Sequence, residues 1–243
     1  MLPIPVYVVS VKSFTDRHEL LKRQAKQHGL RLQFIWEHDA DDLSLDDLSK
    51  VRWRAMPLKS ISCALKHLEA QRKLLETDHD IALVLEDDVL LFDDFGKRLL
   101  ETLALVEELC KPWLVFLGGM DNSLDSRFFV NDRLRLIESP ITTAEAYLIN
   151  RSGCELRLKW LDCNTIPKPA DHLLKELDML LGISQFRVSI PFVTQGSITG
   201  LFPTSLDSSR GKKPSWYLSA RYRWNRWRKQ VFPRMVSDFK RRF

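Results

Sequence analysis

The sequence lacks the long apolar run that would cross a bilayer. None of its 243 residues belongs to a stretch approaching the roughly 20 consecutive apolar residues of a transmembrane helix. Residues 1–10 carry no basic region before their apolar run, so we do not expect them to be a secretory signal. The 44% of hydrophobic residues is still enough for a substantial core. The length predicts one large domain, with or without an extension.

Cysteine is scarce and has no paired spacing. The chain has four cysteines, and none of them forms the CxxC pattern typical of zinc ribbons and redox sites. Each falls in helix-like or strand-like surroundings. We therefore expect reduced, buried thiols in a cytosolic protein rather than disulfides or structural zinc. The cysteines are Cys63, Cys110, Cys154 and Cys163.

Acidic residues are almost missing from the end of the chain. Residues 210–243 contain 12 Lys and Arg but a single acid, Asp238, whereas residues 1–209 contain the other 25 Lys and Arg against 31 Asp and Glu. The net charge of +5 therefore hides a mildly acidic body and a strongly basic tail. We predict a domain of residues 1–209 followed by a separate tail of residues 210–243.

The tail has the composition of a helix that lies on a membrane surface. If residues 216–231 are helical, their aromatic and apolar side chains fall within about 100° of one another, with arginine around them. This pattern predicts binding to an anionic membrane surface. The alternative is a terminal helix that packs Trp224 and Trp227 on the body. No nucleic-acid motif accompanies the basic residues, so we do not predict nucleic-acid binding. The apolar face consists of Trp216, Tyr217, Ala220, Trp224, Trp227 and Val231.

The body alternates predicted strands and helices. Such alternation predicts an α/β fold with a mainly parallel sheet and helices on both faces. Residues 37–47 are acidic and loop-like, and residues 194–200 resemble a flexible polar loop. Strands are predicted at 4–10, 32–36, 81–85, 113–117, 142–149 and 186–193, helices at 13–28, from 60 onwards, 93–110, 151–160 and 170–181, and a hairpin at 127–137.

Three consecutive carboxylates follow the most apolar of these strands. Residues 81–85 are all apolar and lead directly into Glu86, Asp87 and Asp88. The carboxyl end of such a buried strand is where open α/β sheets bind ligands. Two carboxylates about 4 Å apart repel by roughly 4 kcal/mol at an effective dielectric near 20. The cluster therefore needs a cation, a shared proton or a wide separation. A divalent metal that binds substrate phosphates is one explanation, and a solvated turn or helix cap is another.

Several segments in addition to this triplet resemble glycosyltransferase family 25, the bacterial lipooligosaccharide galactosyltransferases related to collagen galactosyltransferases. The most specific feature is the helix that ends in His67, followed about twenty residues later by the acidic sequence of residues 85–89. The resemblance extends over roughly residues 4–200. The matching segments are 6–10 with Asp16 and Arg17, 39–43, 63–68, 83–89, 113–118, 146–149 with Gly153, and 169–172.

The resemblance implies a GT-A-like fold that binds a nucleotide sugar. It also implies an inverting transfer of a hexose, with galactose as the expected sugar, from a UDP-sugar. It implies a Mn²⁺ or Mg²⁺ ion, and a lipid-linked oligosaccharide or lipopolysaccharide as the acceptor. By this resemblance Asp88 is a direct metal ligand, Glu86 binds the metal through water or the donor ribose, and Asp87 supports them. Arg17 and Asp41 match positions near the nucleotide. The location expected for such an enzyme is the cytoplasmic face of the bacterial inner membrane.

Candidates for the remaining roles are less clearly indicated. Inverting transfer needs a base that takes the proton from the acceptor hydroxyl. Asp171 is the first choice for the base, and the alternative explanation is that it simply caps its helix. Glu145 is the alternative, because an acid in a predicted buried strand needs a reason to be there. His67, on the flank of an apolar helix face, is expected to support the cofactor site from the core.

One segment departs from the family pattern. Family members usually have a Gly-Glu-Ile-Gly-Cys sequence where this chain has residues 59–63, Lys-Ser-Ile-Ser-Cys, and Lys66 replaces a serine. A positive charge from Lys59 or Lys66 would suit an anionic substrate, but a solvated helix start would also explain it. The departure leaves open a second class of function, a non-catalytic relative that binds nucleotide sugars or scaffolds a membrane-associated complex.

Overall fold

The structure is a computed structural model that describes residues 3–52, 56–119, 133–202, 214–232 and 235–236. Strands and helices alternate along the described body. The elements are β1 (Val6–Val9), α1 (Thr15–Gln27), β2 (Leu32–Ile35), α2 (Leu45–Ser49), α3 (Leu58–Leu75), β3 (Ile81–Glu86), β4 (Val89–Leu91), α4 (Phe95–Val106), β5 (Trp113–Phe116), β6 (Leu136–Glu138), β7 (Ala146–Asn150), α5 (Arg151–Leu161), α6 (Ala170–Leu181), β8 (Ser184–Val188), β9 (Val193–Gln195), α7 (Gly196–Thr199) and α8 (Ser215–Arg226), which a π-helical turn at Trp227–Val231 continues.

Seven of the described strands form one sheet in the order β2-β1-β3-β7-β5-β8-β6. Strand β1 pairs in parallel with both β2 and β3, and β5 pairs in parallel with β8. Strand β7 runs antiparallel between β3 and β5, and β6 is antiparallel to β8. Strands β4 and β9 form a separate antiparallel ribbon. The predicted α/β fold, a largely parallel sheet flanked by helices, is confirmed.

The core covers both faces of this sheet. Leu83 and Leu85 of β3 pack into one apolar cluster, with α1 and α4, whereas Ala82 and Val84 pack into a second cluster with α3 and α6. These four side chains are fully buried. Because successive strand residues point to opposite faces, a strand covered on both sides is apolar at every position. This is the physical reason for the continuous apolar run before the acidic triplet.

Three local features differ from the sequence-based expectation. Helix α2 lies at the end of the segment predicted as a loop, where Ser44 and Asp47 form a reciprocal capping box. Strand β4 is only three residues long and was not predicted. It pairs with β9, about a hundred residues away, and a local sequence pattern does not predict such a tertiary contact. Strand β8 begins at Ser184 and ends at Val188, earlier than predicted. The predicted hairpin at 127–137 lies mostly outside the described residues.

Lys66 is a structural cation. Its side chain is 1% exposed, and its Nζ lies 2.8 Å from Asp39 Oδ1. The same Nζ donates hydrogen bonds to the carbonyl oxygens of Ile35 at 3.2 Å and Glu37 at 2.6 Å. Lys66 therefore ties α3 to the segment that leaves β2, so the idea that it meets an anionic substrate is wrong. Lys59, at the start of α3, is exposed.

The tail forms the predicted helix and leaves its tryptophans in solvent. Trp216, Trp224 and Trp227 are 71%, 60% and 43% exposed, so the alternative in which Trp224 and Trp227 pack on the body is wrong. The helix meets the body instead beside Gly200, where an added Cβ would lie 2.6 Å from the Ser215 carbonyl oxygen. Among the described residues, no helix combines the length and the apolar character that crossing a bilayer requires.

Candidate active site

The acidic triplet and Glu145 meet at one edge of the sheet. The Glu86 amide donates a hydrogen bond to the Glu145 carbonyl oxygen at 2.9 Å, and the Asp87 amide donates to the Val9 carbonyl oxygen at 3.2 Å. Because β7 runs antiparallel to β3, its first residue lies beside the last residue of β3. Topology therefore brings together acids that are about sixty positions apart in the sequence. All four cysteines, which lie within the described ranges, are free thiols, but the expectation that they are buried is wrong for Cys110 and Cys163, which are exposed.

Asp87 has its charge balanced. Its Oδ1 accepts a hydrogen bond from Arg17 Nη1 at 2.8 Å, and its Oδ2 accepts one from Ser10 Oγ at 2.7 Å. The ion pair is largely buried, with the two side chains 10% and 7% exposed. Ser10 Oγ also lies 2.6 Å from His18 Nε2. This network anchors α1 to the ends of β1 and β3, so Asp87 holds Arg17 in place at the edge of the site.

Glu86 and Asp88 accept hydrogen bonds from neutral groups. Gln195 Nε2 donates to Glu86 Oε2 at 2.8 Å, and the Ser197 amide donates to Asp88 Oδ2 at 3.2 Å. The Gly196 amide donates to the Asp88 carbonyl oxygen at 2.7 Å. The segment predicted as a polar loop is thus the end of β9 and the short helix α7, and it packs directly on the acidic motif.

Asp88 is held in an environment that disfavours its charge. It is 5% exposed. Burial, followed by the nearby negative charge of Glu86, raises the pKa of Asp88 to about 6, although the hydrogen bond from Ser197 and the charge of Arg17 act in the opposite direction. Burial and a neighbouring carboxylate both disfavour the ionised form of Asp88. A bound cation would stabilise that ionised form.

Glu145 is the most deeply buried acid of the cluster. It is 3% exposed, and its Oε1 accepts a hydrogen bond from the Gly119 amide at 2.6 Å. Its Oε2 is buried with no hydrogen-bond partner among the described residues. Burial, with smaller contributions from the charges of Glu86 and Asp88, raises the pKa of Glu145 to about 7. Such an acid exchanges its proton near neutral pH.

Gly118 makes the space that Glu145 occupies. A Cβ built on Gly118 would lie 2.1 Å from Glu145 Oε1. We expect Gly118→Ala to displace the carboxyl group and to lower the free energy of unfolding by about 1–3 kcal/mol, the usual cost of overpacking. Urea denaturation would measure the change. In Gly96→Ala, the matched control in α4, the added carbon meets its nearest atom, His28 Nδ1, at an ordinary 3.7 Å. That control should be neutral or stabilise by up to about 1 kcal/mol. Equal effects of the two substitutions would contradict the assignment.

His67 faces Glu86 from α3. It is 1% exposed, its Nδ1 lies 3.0 Å from the Tyr147 hydroxyl, and its Nε2 lies 3.6 Å from Glu86 Oε1. Cys63, one helical turn earlier, brings its sulfur to the same place, so that ligand atoms of Cys63, His67 and Glu86 all lie within 4.8 Å of one another. Sequence reasoning did not select Cys63. Its spacing of four residues from His67 was the available signal, because residues at i and i+4 share a helix face.

The remaining predicted residues lie further out. Asp171 is partly exposed in the first turn of α6, and its Oδ1 accepts a hydrogen bond from the His172 amide at 2.8 Å. Its charge contributes to the raised pKa of Cys63, after burial and the charge of Glu86. The N-cap of α6 is Pro169, with no side-chain capping bond. Asp41 is exposed in the loop after β2, at the same edge of the sheet.

The carboxylates fit a hard divalent ion. Glu86, Asp88 and Glu145 provide oxygen atoms, which Mn²⁺ and Mg²⁺ prefer as ligands. The hydrogen bonds described for these three carboxylates come from amide groups, which carry no positive charge to balance them. The unpartnered Oε2 of Glu145 adds an acceptor with no donor among the described residues. Oxygen ligands of this kind suit a divalent cation, and the two acids of the motif, Glu86 and Asp88, are two positions apart along the chain. Among the described residues, the group of three ligand side chains whose atoms lie within 4.8 Å of one another is Cys63, His67 and Glu86.

Solved structures with a similar backbone fold include enzymes that act on sugars. The galactosyltransferase LgtC, in complex with donor and acceptor sugar analogs, is 15% identical and matches over 75% of this chain and 73% of that one, with a TM-score of 0.35. A glycosyltransferase involved in the glycosylation of the major capsid of PBCV-1 is 11% identical over 65% and 66%, with a TM-score of 0.35. A putative glucose-1-phosphate thymidylyltransferase from Bacillus anthracis is 11% identical over 90% and 95%, with a TM-score of 0.42. Similarities this weak carry no information about activity.

Comparison with sequence families is more specific. No curated protein sequence matches this chain significantly. Residues 3–114 match the model of glycosyltransferase family 25, described as an LPS biosynthesis protein family. The matched region contains Arg17, Cys63, His67 and the acidic triplet, whereas Glu145 and Asp171 lie beyond it. The resemblance predicted from the sequence motifs is therefore confirmed: over residues 3–114 this chain matches glycosyltransferase family 25.

Proposed function

We propose that this chain is a metal-dependent inverting glycosyltransferase. It transfers a hexose, galactose in the first instance, from a UDP-sugar to a hydroxyl group of a lipooligosaccharide or lipopolysaccharide acceptor. The observation that carries the proposal is the convergence of Glu86, Asp88 and Glu145 at the carboxyl end of β3, where neutral groups bind them. Two of these acids belong to the region that matches family 25.

Glu86 and Asp88 are the residues that would hold Mn²⁺ or Mg²⁺ with the donor diphosphate. When bound, the ion supplies Lewis-acid stabilisation to the leaving nucleoside diphosphate. Gln195 and Ser197 fix the orientation of the two carboxylates through the hydrogen bonds at 2.8 and 3.2 Å. This preorganisation means that the acids do not have to be reoriented when the donor binds.

Arg17 is placed to bind the anionic donor. Its guanidinium lies 4.4 Å from the centre of the Phe14 ring and 5.5 Å from that of Phe202, while Asp87 holds its Nη1. A guanidinium with several hydrogen-bond donors in a fixed plane is suited to phosphate oxygens. Asp41, exposed after β2, is proposed as a contact of the nucleoside at the outer part of the same edge.

Glu145 is our choice for the base, in preference to Asp171. A base works best when its pKa lies near the operating pH, and burial raises the pKa of Glu145 to about 7. Its Oε2 is buried and has no hydrogen-bond partner among the described residues, and we propose the acceptor hydroxyl as that partner. Asp171, partly exposed on α6, is proposed to contact the acceptor.

The direct test is sugar transfer by the full chain. The assay supplies Mn²⁺, a panel of UDP-hexoses and a truncated lipooligosaccharide, and detects the product by mass spectrometry. We expect transfer with inversion at the anomeric carbon, and loss of transfer when the metal is chelated. Tight binding of a UDP-sugar without turnover would instead favour the non-catalytic relative, which the unusual residues 59–62 leave open.

We further propose that the tail, residues 210–243, holds the enzyme peripherally on the cytoplasmic face of the bacterial inner membrane. The supporting observation is a shallow open groove on the exposed side of α8. Arg223 lines this groove, and Arg221 and Arg228 are exposed on the same helical segment. Tryptophan between exposed arginines suits the headgroup region of an anionic leaflet, and a lipid-linked acceptor would be close by. The groove is lined by Trp216, Ser219, Ala220, Arg223, Trp224 and Trp227.

Neutralising the tail arginines should weaken this binding. Each basic residue near an anionic surface contributes about 1 kcal/mol, so replacing Arg221, Arg223 and Arg228 with glutamine should lower partitioning onto phosphatidylglycerol vesicles by about 100-fold. Sedimentation with sucrose-loaded vesicles would measure it. The matched control replaces three exposed lysines of the body, Lys22, Lys26 and Lys97, with glutamine and should have little effect. Equal binding by both variants would refute the proposed role of the tail.

A further inference from the structure

A second set of metal-ligand side chains lies beside the acidic motif. Cys63 and His67 project from one face of α3 toward Glu86, the last residue of β3, and one ligand atom from each lies within 4.8 Å of the other two. Thiol, imidazole and carboxylate differ from the all-oxygen set expected around Mg²⁺, because sulfur and nitrogen favour transition metals such as Zn²⁺ and Co²⁺.

The orientation of His67 supports a ligand role. Its ring is 1% exposed, yet its Nε2 has no hydrogen-bond partner among the described residues. The other ring nitrogen, Nδ1, lies 3.0 Å from the Tyr147 hydroxyl, and burial keeps the pKa of that phenol above its usual value. When the Tyr147 hydroxyl accepts a hydrogen bond from Nδ1–H of His67, the lone pair on Nε2 is free to bind a metal. Metal-bound histidines are usually held through the opposite nitrogen in this way.

The distance between the two nearest ligand atoms also fits. A tetrahedral site with Zn–N and Zn–O distances of about 2.0–2.2 Å separates those ligand atoms by about 3.3–3.6 Å. Nε2 of His67 lies 3.6 Å from Glu86 Oε1, too far for a hydrogen bond but suited to a shared ion. The opposite oxygen of Glu86 is held by Gln195 at 2.8 Å, which directs Oε1 toward His67.

We propose that Cys63, His67 and Glu86 bind a thiophilic divalent transition metal of the Zn²⁺ class, at a position separate from Asp88. Three protein ligands leave one coordination position open, as in catalytic rather than structural zinc sites. The thiol releases its proton to solvent when the ion binds, and no redox step is involved. The site cross-links α3 to the end of β3. It goes beyond the proposed transferase activity, which uses Glu86 and Asp88.

Cobalt spectroscopy tests the site without an activity assay. The metal-free full chain is titrated with Co²⁺, and we expect a thiolate-to-cobalt absorption band in the near ultraviolet that Zn²⁺ abolishes. Cys63→Ser should remove the band. Tyr147→Phe, which removes only the hydroxyl that holds His67, should raise the Co²⁺ dissociation constant about 10-fold or more while retaining the band. The double variant Cys110→Ser/Cys163→Ser removes the two exposed thiols and should behave as wild type.

Asp88→Asn separates this proposal from the proposed function. It should abolish sugar transfer and leave the cobalt band unchanged. Loss of the band in Asp88→Asn would refute a separate position, whereas an intact band in Cys63→Ser would refute the cysteine ligand. Absence of the band in wild type, with transfer still dependent on Asp88, would overturn the second site and leave the transferase assignment intact.

A measurement on the wild-type chain covers the case in which Cys63→Ser fails to fold. Alkylation of each cysteine is followed by peptide mass spectrometry with and without Zn²⁺. Zn²⁺ should slow the modification of Cys63 by about 10-fold or more and leave Cys110 and Cys163 unaffected. Equal modification of Cys63 in both conditions would contradict the site.

Discussion

Asp88→Asn is expected to lower kcat for sugar transfer by at least about 1000-fold. The substitution removes a full negative charge from the position proposed to hold the metal and diphosphate, and lost electrostatic stabilisation of a leaving group has effects of about this size. Asparagine keeps the shape of the side chain and can still accept the Ser197 hydrogen bond that Asp88 Oδ2 receives at 3.2 Å. The fold should therefore survive. Initial rates with Mn²⁺ and a UDP-sugar would measure the loss.

The metal-free Asp88→Asn protein should also be at least as stable as wild type. Burial and the Glu86 charge raise the pKa of Asp88 to about 6, so removing its charge relieves repulsion. The matched control is Asp93→Asn, an exposed aspartate five positions later. The control should retain full activity. If Asp88→Asn transfers sugar at a rate within about tenfold of this control, the metal role of Asp88 is wrong.

Glu145→Gln is the second substitution with a large expected effect. Loss of a general base typically costs about 100-fold to 10,000-fold in rate. Glutamine is nearly isosteric and its oxygen can accept the Gly119 hydrogen bond that Glu145 Oε1 receives at 2.6 Å. We expect kcat to fall by at least about 100-fold while the affinity for the UDP-sugar is preserved. Asp171→Asn, made in parallel, should change the KM for the acceptor more than kcat. The reverse pattern would make Asp171 the base.

Glu145 should also make the stability of the metal-free protein depend on pH. Its folded pKa is raised from 4.5 to about 7, so the unfolded chain loses its proton first as the pH rises. Below about pH 4.5, Glu145 is protonated in both the folded and the unfolded state, and it does not reduce the free energy of unfolding. Between about pH 4.5 and 7 the folded state binds more protons than the unfolded one, and stability falls by about 3 kcal/mol in total.

Glu145→Gln removes this dependence, because the amide does not titrate. The difference in unfolding free energy between the variant and wild type should therefore grow in favour of the variant from pH 4.5 to pH 7.5. Urea denaturation in the presence of a chelator would measure it. Glu138→Gln, an exposed position on β6, is the control and should follow the wild-type slope. Parallel curves for wild type and Glu145→Gln would contradict the raised pKa of Glu145.

Local sequence patterns predicted most of the elements because their causes are local. The run at 81–85 is apolar since both faces of β3 are covered, and Gly29 ends α1 with a φ of +66°, which glycine adopts without strain. Strand β4 escaped prediction because three residues carry too little pattern, and its partner β9 lies far away in the sequence. The boundaries of β8 shifted for a related reason, since pairing with β5 and β6 decides where it ends.

For the candidate site too, some residues could be predicted from the sequence and others could not. The triplet, Arg17 and His67 were selected from the sequence by position and resemblance, and the structure brings all of them to one edge of the sheet. Cys63 and the contact of Gln195 with Glu86 were missed, because each depends on which helix face or loop meets the strand end. For Lys66, both explanations offered from the sequence, an anionic substrate and a solvated helix start, are wrong, because its burial against Asp39 cannot be predicted from a single charged residue.

The sequence by itself determined the α/β class, the basic aromatic tail and the acidic triplet after a buried strand, since these follow from hydrophobic periodicity and composition along short segments. Only the tertiary structure decided which groups contact each of the acids. It paired Asp87 with Arg17, whereas the hydrogen bonds described for Glu86, Asp88 and Glu145 come from neutral groups. It also turned Cys63 and His67 toward Glu86. The physical reason is that the energy of a buried charge depends on the groups within a few ångströms of it, and folding chooses those groups from distant parts of the chain.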